Sequence, residues 1–283
     1  MEQPPDITHE TDPARSFGQV ADAYDRARPS YPKEAAQWLV GPGLVGPAPA
    51  GRSQARVLEL GAGTGKLTEQ LCGLGHRVVA TDPSEPMLRR LRKRAPQAAT
   101  ALAAAESIPL ASRSVDVVIA GQAFHWFDTD RSIPEIARVL RPGGTLALVW
   151  NERDERIPWV KRLGRLIGSQ EQDHAPGAVI DASGLFEAVE SATFRFWQPT
   201  TRESLGDLVL SRSNIAVQPE HERSRVLDKV EELYNDYGRG ADGMLLPYVT
   251  FGYRATVKPQ APTDEQPTGP DDLDTDSLLI DFR

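Results

Sequence analysis

From residue 55 the chain alternates between two hydrophobic periods. Short continuous apolar runs occur at ARVLEL (55–60), HRVVATD (76–82), VDVVIAG (115–121) and TLALVWN (145–151), with a weaker one at ATALAAA (99–105). Their length and β-branched content suit strands buried on both faces. Between them lie stretches with apolar residues three and four apart: KLTEQLCGLG (66–75), SEPMLRRLRKRA (84–95) and IPEIARVL (133–140). That spacing predicts helices. Ser84 stands as an N-cap with Pro86 in the first turn, and RPGG (141–144) stops the third helix. Strands alternating with helices in this way predict a parallel sheet with helices on both faces.

Beyond Asn151 the order changes. Helical spacing returns at IPWVKRLGRLIG (157–168), ESLGDLVLSRS (203–213) and PEHERSRVLDKVEELYNDYG (219–238). FEAVESATFRFWQPTT (186–201) contains two β-rich halves, and MLLPYVTFGYRATV (244–257) alternates as a last strand. Residues 16–40 read as short helical pieces broken at Pro29 and Pro32, and GPGLVGPAPAGRS (41–53) as a linker. The expected organisation is a disordered N-terminus (1–15), a helical lid and linker (16–50) and a main domain (51–258). Helices at about 200–247 would cover that domain, and a Pro-rich acidic tail (259–283) would follow it as disordered chain.

Composition narrows the function. The chain of 283 residues carries a net charge of -8, which argues against nucleic acid as a partner. The basic run RRLRKR (89–94) has Leu88 and Leu91 at helical spacing and reads as a solvated helix face. One cysteine, Cys72, allows neither an internal disulfide nor a thiolate cluster, and no His/Asp/Glu set has metal-ligand spacing, so no metal is expected. The acidic, Pro-bearing start does not resemble a signal peptide, and no apolar run approaches the ~20 residues of a membrane span. These features predict a soluble cytoplasmic protein.

Candidate chemistry gathers at the ends of the strands. VLELGAGTGKLT places Gly61, Gly63 and Gly65 between the first strand and its helix, where backbone can approach a ligand closely. In open α/β sheets this is the ligand crevice. Asp82 closes the second strand, either to accept hydrogen bonds from two ribose hydroxyls or to cap the next helix. Glu59 lies inside an otherwise apolar strand, where a carboxylate needs a partner. It suits a cationic ligand, or the N–H groups of the turn, better than a pyrophosphate. AGQAFHWFDTD (120–130) follows the fourth strand. Its His125 is either a general base facing an acceptor or a loop histidine stacked between Phe124 and Trp126.

Four segments together carry a resemblance: VLELGAGTGKLT, VVATDPSEPML, AAAESIPLASRSVDVVIAGQAFHWF and EIARVLRPGGTLALV. Over residues 55–150 they resemble, in order, the motifs of class I S-adenosylmethionine-dependent methyltransferases, and the branch with ubiquinone/menaquinone and trans-aconitate methyltransferases most. The resemblance implies a Rossmann-like, doubly wound, mostly parallel seven-stranded sheet with an antiparallel last strand. It also implies S-adenosylmethionine as cofactor and a small-molecule methyl acceptor. Gly61, Gly63 and Gly65 would pack on the methionine part and ribose, and Glu59 would hold the methionyl amine. Asp82 would bind the ribose hydroxyls, with Pro83, Ser84 and Met87 beside the adenine and Ala105 and Glu106 at its edge. Gln122 would line the methionine near the sulfonium. The N-terminal FGQVADAYDRARPSYP resembles the family's lid, so Phe17, Tyr24, Arg28 and Tyr31 are candidates to close the site, and Tyr24 joins His125 as a catalytic candidate. Asn151 and Arg153 end strand five at the same crevice, Arg153 as a carboxylate anchor or a solvated charge. Two other readings stay open: a nucleotide-sugar or dinucleotide enzyme on a Rossmann sheet, and a non-catalytic cofactor-binding relative.

Overall fold

The structure is a computed structural model, and it describes residues 28–41, 54–169, 176–237 and 243–259. Two compact units divide the chain: one of Pro29–Asp154, Gln170–Trp197 and the chain from Pro247 on, the other centred on Glu155–Ser169 and Gln198–Leu246.

The larger unit is built on the strands the apolar runs predict. They are β1 (Arg56–Leu60), β2 (Arg77–Asp82), β3 (Ala99–Leu102), β4 (Val115–Gly121) and β5 (Leu140–Arg153). Two strands from the second half of the chain, β6 (Glu190–Thr200) and β7 (Met244–Thr256), complete a seven-stranded sheet in the order β3-β2-β1-β4-β5-β7-β6. β1 pairs in parallel with β2 and β4, β2 with β3, and β4 with β5. β7 runs antiparallel to β5 from Thr145↔Thr256 to Arg153↔Tyr248. This is the mixed doubly wound sheet that the motifs imply.

Helices cover both faces because the central strands are apolar on both. On one face lie α1 (Lys33–Val40) and α2 (Lys66–Gly73), with Leu39, Leu67 and Leu71 against Val57, Val78 and Ile119. Next to them α3 (Glu85–Arg94) buries Leu88 and Leu91 against Ala62 and Ala80. The basic run is therefore the outer face of an amphipathic helix. On the other face α4 (Thr129–Val139) sets Ile133 and Ile136 against Leu58, Val118 and Leu148.

Within FEAVESATFRFWQPTT, Glu190–Thr200 forms one continuous strand, β6, in place of two halves. No turn residue separates Phe194 from Phe196, and Pro199 is tolerated because β6 stands at a sheet edge. A further helix, α5 (Pro158–Ile167), comes where its spacing predicts, but α6 (Pro176–Ser183) was not expected from its mixed sequence.

The smaller unit gathers α5 with α7 (Arg202–Leu210), α8 (Ser213–Ala216) and α9 (Glu220–Tyr237). α9 packs on both α5 and α7. Trp159 stacks on Tyr237 at 6.0 Å, Arg162 pairs with Asp236 at 3.2 Å, and Arg202 reaches Glu231 and Asn235. A reciprocal capping box between Thr201 and Ser204 starts α7. No helix among the described residues is long and apolar enough to cross a membrane.

Candidate active site

The carboxyl ends of β1, β2 and β4 converge on the glycine turn. Gly65 is the N-cap of α2 with φ 83°, and a Cβ there would meet Leu91 Cγ at 2.7 Å and its backbone Cα at 3.3 Å. Only glycine lets the turn pass so close to α3. Substituting Gly65→Ala is expected to cost about 2–4 kcal/mol, from left-handed strain plus overpacking. Chemical denaturation would read this, and a loss below 1 kcal/mol would contradict the close approach. Gly61, at φ 63°, lies under the loop after β4, where a Cβ would stand 2.6 Å from Ala123 Cβ and 3.8 Å from the Phe127 ring. Gly63 differs: no atom lies within 4 Å of the position its Cβ would take. The turn is thus pinned at both ends and open in the middle.

Asp82 ties that open middle to the next loop. One carboxylate oxygen accepts the Gly63 N–H at 2.8 Å, and the other accepts the Ser84 N–H at 2.8 Å. Ser84 is the N-cap residue of α3, yet its side chain makes no capping bond. Asp82 therefore bridges the two loops and does not simply cap the helix. It is buried, which raises its carboxyl pKa, while the two backbone bonds pull it down. From the far side Arg94 donates to Thr64 O at 3.0 Å and to Thr64 Oγ1 at 3.1 Å, holding the turn.

Beneath the turn Glu59 is only 2% exposed. Burial drives its carboxyl from 4.5 to about 8, the Thr68 hydroxyl bond opposes this, and the nearby Asp82 charge adds to it. Thr68 Oγ1 donates to Glu59 Oε2 at 2.6 Å. A ligand ammonium would supply the positive partner this carboxyl lacks inside an apolar strand. The donor set therefore fits a group that carries both a cation and a vicinal diol.

The other expected residues divide by place. Pro83 is exposed and Met87 half-buried, both at the head of α3. Ala105 is buried in the core, and Glu106 Oε1 accepts the Asp128 N–H at 2.8 Å, which anchors the loop before α4. Gln122 has φ 52°, an unusual backbone for a non-glycine, and its N–H donates to Val149 O at 2.8 Å.

The aromatic run splits. Residues Phe124–Trp126 form one 3₁₀ turn. Phe124 is buried and meets Phe127 edge-on at 5.8 Å, so these two join the core. His125 is exposed and Trp126 is 79% exposed, and their rings lie 4.9 Å apart. His125 is thus not stacked in a closed aromatic sandwich. Asn151 is buried, accepting from Thr250 Oγ1 at 2.6 Å and donating to Ser30 O at 3.1 Å. Arg153 is buried as well, which removes the solvated-charge reading. Phe17 and Tyr24 lie outside the described residues. Among the described residues no group of three or more His, Cys, Asp or Glu could hold a metal.

Thr68 escaped the sequence reading, and Tyr31, named there as a lid candidate, makes a contact the sequence does not show. Thr68 was legible only as part of a helix, though its place one turn into α2 faces the strand that carries Glu59. Tyr31 is buried with its hydroxyl 2.8 Å from the position of a Cβ on Gly121, at the end of β4. The spacing of YP ahead of α1 carries no hint of that contact.

The chain is similar to known proteins in sequence and in fold. A family model described as a methyltransferase domain matches residues 58–148. An uncharacterized methyltransferase of Mycobacterium tuberculosis is 46% identical over 251 residues, 87% of this chain and 97% of its own length. A malonyl-[acyl-carrier protein] O-methyltransferase of Methylococcus capsulatus is 40% identical over 138 residues, 47% of this chain and 48% of its own. A solved structure from Anaeromyxobacter dehalogenans, described as a type II methyltransferase, superposes with a TM-score of 0.55 at 26% identity, covering 82% of this chain and 97% of that one. With the sheet order, the pinned glycine turn and its two buried acids in place, the chain belongs to the class I S-adenosylmethionine-dependent methyltransferases.

Proposed function

We propose that this methyltransferase holds S-adenosylmethionine over the open middle of the glycine turn and methylates an oxygen of a small-molecule carboxylate. The observation that carries the cofactor assignment is the pairing of buried Glu59 with bridging Asp82. Glu59 would receive the methionyl ammonium. Asp82 would accept from the ribose hydroxyls, with Pro83, Ser84 and Met87 along the adenine and Ala105 and Glu106 at its edge. Gly61 and Gly65 keep the turn in shape, Gly63 lets the ligand approach its backbone, and Gln122 stands at the methionine end. When bound, the cofactor supplies an electrophilic methyl on a cationic sulfur.

An acceptor carboxylate oxygen attacks that methyl in line. The bound donor would supply the methyl and keep the sulfur–carbon bonding pair as a neutral thioether, and the acceptor would become an ester. No proton has to be removed, so the rate rests on holding acceptor and methyl in near-attack geometry. The relative named as an O-methyltransferase of a malonyl carrier supports an oxygen acceptor. The open placement of His125 supports a mechanism that needs no base there. His125 and Tyr24 then serve as acceptor contacts.

Calorimetric titration should show binding of S-adenosylhomocysteine and none of NAD. Labelled methyl should pass into organic acids in preference to phenols and quinone precursors. Substituting His125→Ala should leave the methylation rate for a carboxylate acceptor within about threefold, the effect of losing one exposed contact. A drop of about 10²-fold or more would identify His125 as a general base and overturn the carboxylate reading.

A further inference from the structure

Four polar side chains of the larger unit form a chain of hydrogen bonds from β7 to α2. Thr250 on β7 donates its hydroxyl to Asn151 Oδ1 at 2.6 Å, and both residues are buried. Asn151, near the carboxyl end of β5, donates from Nδ2 to Ser30 O at 3.1 Å. From α2, Gln70 donates from Nε2 to Ser30 Oγ at 2.8 Å. Ser30 is thus held by its backbone from the sheet and by its side chain from a helix. A buried amide is costly unless it is satisfied, and Asn151 uses both of its polar ends to tie the segment ahead of α1 to the sheet.

The residue after Ser30 is Tyr31, in the same apolar cluster as Leu67 and Ile119. A Cβ on Gly121 would stand 2.8 Å from the Tyr31 hydroxyl and 3.2 Å from Leu67 Cδ2, so the missing side chain leaves the room in which that hydroxyl sits. Glu59 and Ile119 are register partners on β1 and β4, and Gly121 follows Ile119 by two residues on the same face. Gly121 therefore lies about 6.6 Å nearer the carboxyl end of the sheet than Ile119. The Glu59 carboxyl and the Tyr31 hydroxyl occupy successive levels on one side of the sheet, with the hydroxyl nearer the crevice. An α-amino acid carries its carboxylate one carbon away from its ammonium. With the ammonium on Glu59, the carboxylate needs a donor beside that acid, and the next level toward the crevice holds one.

We propose that Asn151 is a positioning residue for the amino-acid end of the cofactor, which through Ser30 holds the Tyr31 hydroxyl at Gly121 as a donor to the methionyl carboxylate. The inference rests on the reading of Glu59 as the partner of the methionyl ammonium. Asn151 touches no part of the ligand and acts only through the segment it holds.

Calorimetric titration of the full chain with two probes tests this. S-adenosylhomocysteine carries the amino-acid end, whereas 5′-methylthioadenosine keeps the adenine, ribose and thioether without it. Tyr31→Phe and Asn151→Ala should each weaken binding of S-adenosylhomocysteine by about tenfold, the effect of one hydrogen bond to a charged group, and leave 5′-methylthioadenosine within about twofold. The double variant should bind S-adenosylhomocysteine within about twofold of either single one, because both changes remove the same contact. Gln70→Ala removes only one of the two bonds to Ser30 and should weaken S-adenosylhomocysteine by about threefold, so it tests the same role if Asn151→Ala does not fold. Native-like affinity of any single variant, single losses that multiply in the double variant, or equal losses for both probes would each overturn the positioning role and leave the cofactor reading in place. Failure of the native chain to bind S-adenosylhomocysteine would instead overturn the cofactor reading and this inference with it.

Discussion

Substituting Asp82→Ala is expected to lower the affinity for S-adenosylhomocysteine by about 10²–10⁴-fold, since two hydrogen bonds to a charged acceptor contribute about 1.5–3 kcal/mol each. Part of this loss arises before any ligand arrives. The carboxylate holds Gly63 N–H and Ser84 N–H at 2.8 Å each, so its removal frees the open part of the turn and the entry to α3 together. An Asp82→Asn substitution keeps one acceptor oxygen but replaces the other with a donor. It can hold one of the two loops and should fall between native and Ala in affinity. Calorimetric titration of the three proteins orders them, and thermal melts of the unliganded forms separate the loop effect from the lost ligand contact. If Asp82→Ala binds within threefold of the native chain, the ribose role is wrong.

Glu59 has the second largest expected effect, and it appears as pH dependence. The unliganded protein holds this carboxyl at about 8, against 4.5 for the unburied group. The folded state therefore binds the proton more tightly than the unfolded chain. The stability that follows is fully present below pH 4.5 and is lost progressively as pH rises toward about 8. Across that window this one group contributes a slope approaching ~1.4 kcal/mol per pH unit. Denaturant titrations of the native chain from pH 5 to 8 should show falling stability. Glu59→Gln, which cannot ionise, should flatten that dependence, leaving the smaller contribution of Asp82. Ligand binding acts in the opposite sense. An ammonium placed against Glu59 favours the carboxylate, so binding near pH 7 should release about one proton. Calorimetry in buffers of different ionisation enthalpy reads that proton directly. An observed heat that is the same in every buffer would remove the amine from the Glu59 site.

The family assignment and the pH argument meet at one physical point. A methyl donor with a sulfonium and an ammonium suits a site that carries two buried acids. A pyrophosphate would suit it badly. The charge on Glu59 is tolerable in the bound state and costly in the free one, and that difference makes the ligand a stabiliser of the fold.

Most of the larger unit could be read from residues 55–151. β4 falls on the VDVVIAG run, and α3 ends where RRLRKR ends, because buried parallel strands and amphipathic helices leave local marks in hydrophobic period. The second half was less legible. β6 exposes alternate residues along its length and carries Pro199, so its signal is half that of a buried strand, and it was divided in two. α6 has glycine and proline in its first turn and only Pro176 and Ile180 buried, too little apolar face to show a helical period.

The site divides along the same line. The glycine turn, Asp82 at a strand end and Glu59 within an apolar run are conspicuous because each breaks a local rule of composition. Their partners are not. Thr68 on Glu59, Gly63 and Ser84 on Asp82, and Tyr31 over Gly121 depend on which segments meet in space. So does the splitting of FHWF into two core rings and two exposed ones, since four adjacent aromatics look alike along the chain. Period, turn residues and misplaced charges are local quantities, so the sequence carries the sheet, the turn and the acids. Burial and hydrogen-bond partners arise between residues tens of positions apart, and only the packed fold assigns them.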